Sequence, residues 1–172
     1  MMKSLTNAEA SEFLAARGFR IGGWNDLLEI VADKTITQQC AAPVEARELF
    51  NFAQRLMAWL SPKESDWFFL QIDNSTSPLE DEVEVFENLV LSNATKWDVG
   101  HQHSFLLDKN SAHGIGISAV PTLVMLIFFA LAFEWHIYLV AEKSCHGQRL
   151  GLLDGVAYLF GTEETVRQVK IG

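Results

Sequence analysis

At 172 residues, 49% hydrophobic and 11% aromatic, the chain can bury one sizeable core and is too apolar to be disordered. Its net charge of -9 argues against a nucleic-acid binder, whose phosphate contacts need clustered Lys and Arg. Cys40 and Cys145 allow one disulfide at most, and Met1 to Asn7 shows no apolar leader core, so a reduced, cytoplasmic protein is expected.

In chain order, Thr6 followed by Glu9 has the spacing of a capping box and predicts a short helix ending at Gly18, with Phe13 and Leu14 buried. Gly22 and Gly23 break the chain. Trp24, Leu27, Leu28 and Val31 then recur at helical spacing and predict a second, shorter helix. Thr35 to Ala42 is polar and reads as a loop. Pro43 opens a long helix whose stripe is Val44, Leu49, Phe52, Ala53, Leu56 and Leu60, and Ser61-Pro62 ends it.

The period changes at Asp66 to Asp73, where Trp67, Phe68, Phe69, Leu70 and Ile72 form an aromatic-rich run that predicts a largely buried strand. Asn74 to Pro78 is a turn cluster. Ser77, Pro78 and Glu80 then give a strong helix start. The helix that follows buries Leu79, Val83, Phe86 and Val90, and sets Glu80, Glu84 and Glu87 together on an adjacent face. Asn93 to His103 is loop-like, and Ser104 to Asp108 predicts another strand.

Gly114 to Phe133 is uncharged, and Leu123 to Phe133 is wholly apolar. The dense part is shorter than a membrane span requires, no Lys or Arg flanks it, and Leu, Met and Ala favour a helix over a strand. A buried core helix entered at Pro121 is expected, lying between the sheet and Phe52, Leu56 and Leu60 of the long helix; attachment to a membrane is the alternative. Trp135 to Ala141 follows as a strand. Arg149 to Leu153 and Val156 to Phe160 are joined by Asp154-Gly155, a strong hairpin signal. A short helix or tail over Thr162 to Lys170 closes the chain.

The expected fold is α+β in a single domain over residues 1–172, with a helical part over about 1–62 and a sheet-containing part over about 63–172. Its sheet is mainly antiparallel, of four or five strands, and ends in a three-stranded meander.

Three groups of residues bear on function. Between Lys63 and Lys96 there is no basic residue, yet Glu64, Asp66, Asp73, Glu80, Asp81, Glu82, Glu84 and Glu87 all fall there. First-turn acids suit a helix N-terminus, but Glu84 and Glu87 lie beyond it. The expectation is a docking face formed by Glu80, Asp81, Glu84 and Glu87 for a basic protein partner, in a non-enzymatic protein of the immunity or inhibitor kind. Neither nucleic acid, membrane nor cofactor enters that reading, and it leaves homo-oligomerisation open.

A divalent-metal site, in a binding domain or a metal-dependent hydrolase, is the alternative. Asp73-Asn74-Ser75-Thr76-Ser77 resembles the metal-adhesion motif of von Willebrand A domains, Asp-x-Ser-x-Ser. That resemblance implies Mg²⁺ or Ca²⁺ held by Asp73, Ser75 and Ser77, and a parallel, doubly wound sheet. A second candidate set is Asp98, His101 and His103, whose two histidines stand at i and i+2. Cys145-His146 reads as a loop cysteine with its neighbour, not a catalytic dyad, because nucleophile and base must converge in space.

Overall fold

The computed structural model describes residues 2–22, 29–31, 35–61, 65–73, 103–108, 119–142 and 147–168. The strands are β1 (Met2–Leu5), β2 (Arg20–Gly22), β3 (Glu29–Val31), β4 (Ile36–Ala41), β5 (Trp67–Asp73), β6 (His103–Asp108), β7 (His136–Ala141), β8 (Arg149–Leu153) and β9 (Val156–Gly161). The helices are α1 (Asn7–Ala15), α2 (Ala46–Leu60), α3 (Ala119–Ala132) and α4 (Glu163–Arg167). A seven-stranded sheet runs in the order β1-β6-β5-β7-β8-β9-β4, while β2 and β3 form a separate two-stranded ribbon.

The fold is α+β, and every described pairing is antiparallel. The parallel, doubly wound sheet implied by the von Willebrand A resemblance is therefore not the fold. The meander β7-β8-β9 is present as expected, turning at Asp154 and Gly155 with φ of 48° and 71°. Two successive positive φ values are what a two-residue hairpin of matching twist requires, and Asp-Gly supplies them at low cost.

The sheet is larger than the expected four or five strands because the first part of the chain contributes to it. Met2–Leu5 pairs with β6, and Ile36–Ala41, expected as loop, pairs with β9 along its whole length. The helix expected over Trp24 to Val31 is not borne out at its end, since Glu29–Val31 pairs with Arg20–Gly22. Val44, placed in the stripe of the long helix, precedes that helix and is 97% exposed.

One face of the sheet is covered by α2 and α3. Leu49, Phe52, Ala53, Leu56, Met57 and Leu60 of α2 meet Leu123, Val124, Leu126, Ile127, Ala130 and Leu131 of α3, over Phe68, Leu70, Ile72, Ile137, Leu139, Leu150, Leu152, Ala157 and Leu159 from the strands. The apolar stretch entered at Pro121 is thus the centre of the core. Its outer side, with Thr122, Met125, Phe128 and Phe129, is half-buried. Among the described residues no helix is long and apolar enough to cross a membrane.

The opposite face is covered at one end by α1, which seats Ala10 and Leu14 against Leu5, Phe69 and Val140. Its start is the expected capping box: Glu9 N–H donates to Thr6 Oγ1 at 3.3 Å, and Thr6 N–H donates to Glu9 Oε2 at 2.8 Å. Phe13 packs edge-on against Trp67 at 4.9 Å, and the Arg17 guanidinium lies 3.6 Å from the Phe13 ring centre. Trp59 Nε1 donates to the carbonyl of Thr165 at 2.9 Å, tying α2 to α4.

Candidate functional site

Alternation along the strands gives each face a distinct chemistry. The face under α2 and α3 is apolar. On the other face, one row of register partners is mostly polar: Ser104 on β6, Gln71 on β5, Tyr138 on β7, Gly151 on β8, Tyr158 on β9 and Gln39 on β4. Ser104 and Gln71 are each 1% exposed, and Gln71 Oε1 and Ser104 Oγ have no hydrogen-bond partner among the described residues. At Gly151 a Cβ would come within 3.0 Å of Tyr138 Cε1 and 3.2 Å of Phe160 Cε2, so the glycine makes room for two aromatic rings. Arg149 is buried beside them. Its guanidinium lies 4.5 Å from the Phe160 ring centre and donates to Thr35 Oγ1 and to the Gly147 carbonyl.

At one end of the sheet the topology gathers histidine and aspartate. Asp73 ends β5, His103 opens β6 opposite Ile72, and His136 opens β7 opposite Asp73. The β8-β9 turn comes to the same end, where His136 Nε2 and Asp154 Oδ1 are hydrogen-bonded at 2.9 Å. His136 is 8% exposed and Asp154 lies in solvent. The turn also packs against the end of α3: a Cβ at Gly155 would lie 3.7 Å from both Leu131 O and Glu134 Cγ. Histidine and carboxylate together are suited to hold a divalent transition metal or to move a proton. Among the described residues no three His, Cys, Asp or Glu side chains form a metal-ligand group.

Asp73 from one set and His103 from the other lie on adjacent strands at the same end of the sheet, but at successive register positions, with His103 opposite Ile72, so the alternation of the sheet does not bring the two expected sites together. Ser75, Ser77, Asp98 and His101 lie outside the described residues, as do Glu80, Asp81, Glu84 and Glu87 and the Cys145-His146 pair. His136 and Asp154 were missed as a pair. The signal was available, since the meander's register sets His136 beside Leu153 and so next to the turn residue Asp154.

Cys40 is a free thiol on β4, buried in the main core. Burial pushes its pKa up, and the hydrogen bond from Gln38 Nε2 to Sγ at 3.8 Å acts in the opposite direction. A shielded, protonated thiol is a poor nucleophile.

Fold and site together define an α+β protein with an antiparallel sheet covered by helices on both faces and a hydrogen-bonded histidine-aspartate pair at one end. Comparison with the known protein families, with curated proteins and with solved structures finds no match to this chain.

Proposed function

We propose that the protein is a non-enzymatic binding protein, acting in the cytoplasm, that docks a basic protein partner through Glu80, Asp81, Glu84 and Glu87, as an inhibitor or immunity protein would. The observation that supports this reading is topological. β5 and β6 are direct antiparallel neighbours with Ile72 opposite His103, a connection that a few residues can make. Instead residues 74–102 intervene, and they contain Glu80, Asp81, Glu82, Glu84, Glu87 and Asp98 against a single Lys or Arg, Lys96. The charge imbalance is thus concentrated in chain that the pairing of these strands does not demand. Charge placed so is free to steer association with a cationic surface.

The test uses the full chain as bait in its native host. Replacing Glu84→Lys and Glu87→Lys together is expected to abolish capture of a basic partner, while the unfolding free energy stays within about 0.5 kcal/mol, as for ordinary surface substitutions. Undiminished capture by the charge-reversed protein would overturn the proposal.

A second reading, divalent-metal binding, is favoured by the His136–Asp154 contact at the end of the sheet where Asp73 stands in register with His136. It predicts that Zn²⁺ raises the melting temperature of the native chain and not that of His136→Gln. Saturation at about a hundredfold the dissociation constant would add about 2.7 kcal/mol. An identical response of the two proteins removes His136 from any such site.

A further inference from the structure

Among the described residues the sheet ends at β4, and the backbone there has a definite polarity. Ala42 N–H donates to the Gly155 carbonyl at 3.3 Å, which continues the register in which Cys40 faces Ala157 and Gln38 faces Leu159. In an antiparallel ladder alternate residues direct both backbone groups to the same neighbour. The even-numbered residues of β4 therefore bond β9, and Thr37, Gln39 and Ala41 direct N–H and C=O away from the sheet. The β8-β9 hairpin agrees independently. Its two-residue turn makes Leu153 and Val156 the closing hydrogen-bonded pair, leaving Ala157, Leu159 and Gly161 to face β4.

Thr37, Gln39 and Ala41 are all exposed, and Ile36 is 45% exposed. Ile36–Ala41 contains no charged residue and no proline, the two devices that most often stop an open edge from pairing. We propose that this edge pairs with β4 of a second copy, antiparallel about a two-fold axis at Gln39, so that the sheet continues from one molecule into the next.

The strand is its own complement in that register. Gln39 faces Gln39 of the second copy and Thr37 faces its Ala41, so every outward N–H and C=O of the three residues meets an outward partner. The Gln39 carboxamide, both donor and acceptor, matches itself across the axis. No charge on the strand would select a foreign sequence instead.

In this register Gln38 lies opposite Cys40 of the second copy in a non-hydrogen-bonded pair, where facing Cα atoms are about 4.5 Å apart and side chains closest. The full chain carrying Gln38→Cys and Cys145→Ser is expected to form a covalent dimer on mild oxidation, read by mass under non-reducing conditions. Gln39→Pro removes only an outward N–H, at a position where an edge strand tolerates proline. It is expected to weaken the native dimer at least about tenfold in sedimentation equilibrium, the loss of two hydrogen bonds. A native chain that sediments as a monomer at every concentration overturns the proposal. So does a dimer that survives Gln39→Pro unchanged while Gln38→Cys fails to cross-link.

Discussion

Cys40 sits at 6% exposure between the edge of the sheet and the core, and its pKa is raised chiefly by that burial. In the unfolded chain the thiol ionises at its ordinary value, about 8.5. In the folded protein it holds its proton to a higher pH. The stabilisation this brings is present in full below the unfolded value and is lost as pH rises through the folded one. Urea unfolding across about pH 7 to 10 is expected to show stability falling in that alkaline window, by at most about 1.4 kcal/mol per pH unit from this group. Cys40→Ala should remove that share of the slope, and parallel curves for the two proteins would contradict it. Gln71 and Ser104 pose the complementary residue-scale question. Each buried orphan atom costs about 1–3 kcal/mol unless a water or ligand meets it, and both stand in the polar row of the less apolar face.

Elements specified by local chemistry were legible from the sequence. Thr6 and Glu9 form their capping box, Asp154-Gly155 turns the hairpin, Pro121 opens the apolar helix, and Trp67 to Asp73 is a strand. Elements specified by their neighbours were not. Ile36–Ala41 reads as loop because an edge strand needs apolar side chains only where it touches the core, here Cys40, and its exposed positions are Ile36, Thr37, Gln39 and Ala41. Glu29–Val31 is too short to display a period of its own, so the helical spacing of Trp24, Leu27, Leu28 and Val31 misassigned it. The candidate site divides in the same way. Asp73 and His103 could be named one by one, but their placement at one end of the sheet depends on the β5-β6 register, a long-range pairing that no local pattern encodes. The His136-Asp154 contact was half visible, since the meander that creates it was read correctly.

At the scale of the whole molecule, the sheet and the acidic segment separate two tasks, and that separation can be tested directly. β5 and β6 pair up to Ile72 and His103. Glu142 N–H donates to the Trp67 carbonyl, so the odd-numbered residues of β5 bond β7, and Ile72 and His103 are the last hydrogen-bonded pair between β5 and β6. Replacing residues 74–101 by Asn-Gly leaves the four-residue loop Asp73-Asn-Gly-Gln102 across that pair, a length that hairpins commonly use. The face of the sheet away from α2 and α3 holds Ser104, Gln71, Tyr138 and His136 towards that end. These side chains are polar, so contact with water carries little penalty for them. The apolar mass under α2 and α3, the α1 cluster on Phe69 and Val140, and the β4 edge are all built from residues outside the excised stretch. Shortening a long connection also returns loop-closure entropy, though only about 0.6 kcal/mol per halving of length. The shortened chain is expected to unfold cooperatively, with a stability within about 2 kcal/mol of the native protein, the range of ordinary single substitutions. It should keep its self-association and lose capture of a basic partner. Failure to fold would show that residues 74–101 belong to the core after all, and retained capture would place the binding surface elsewhere on the molecule.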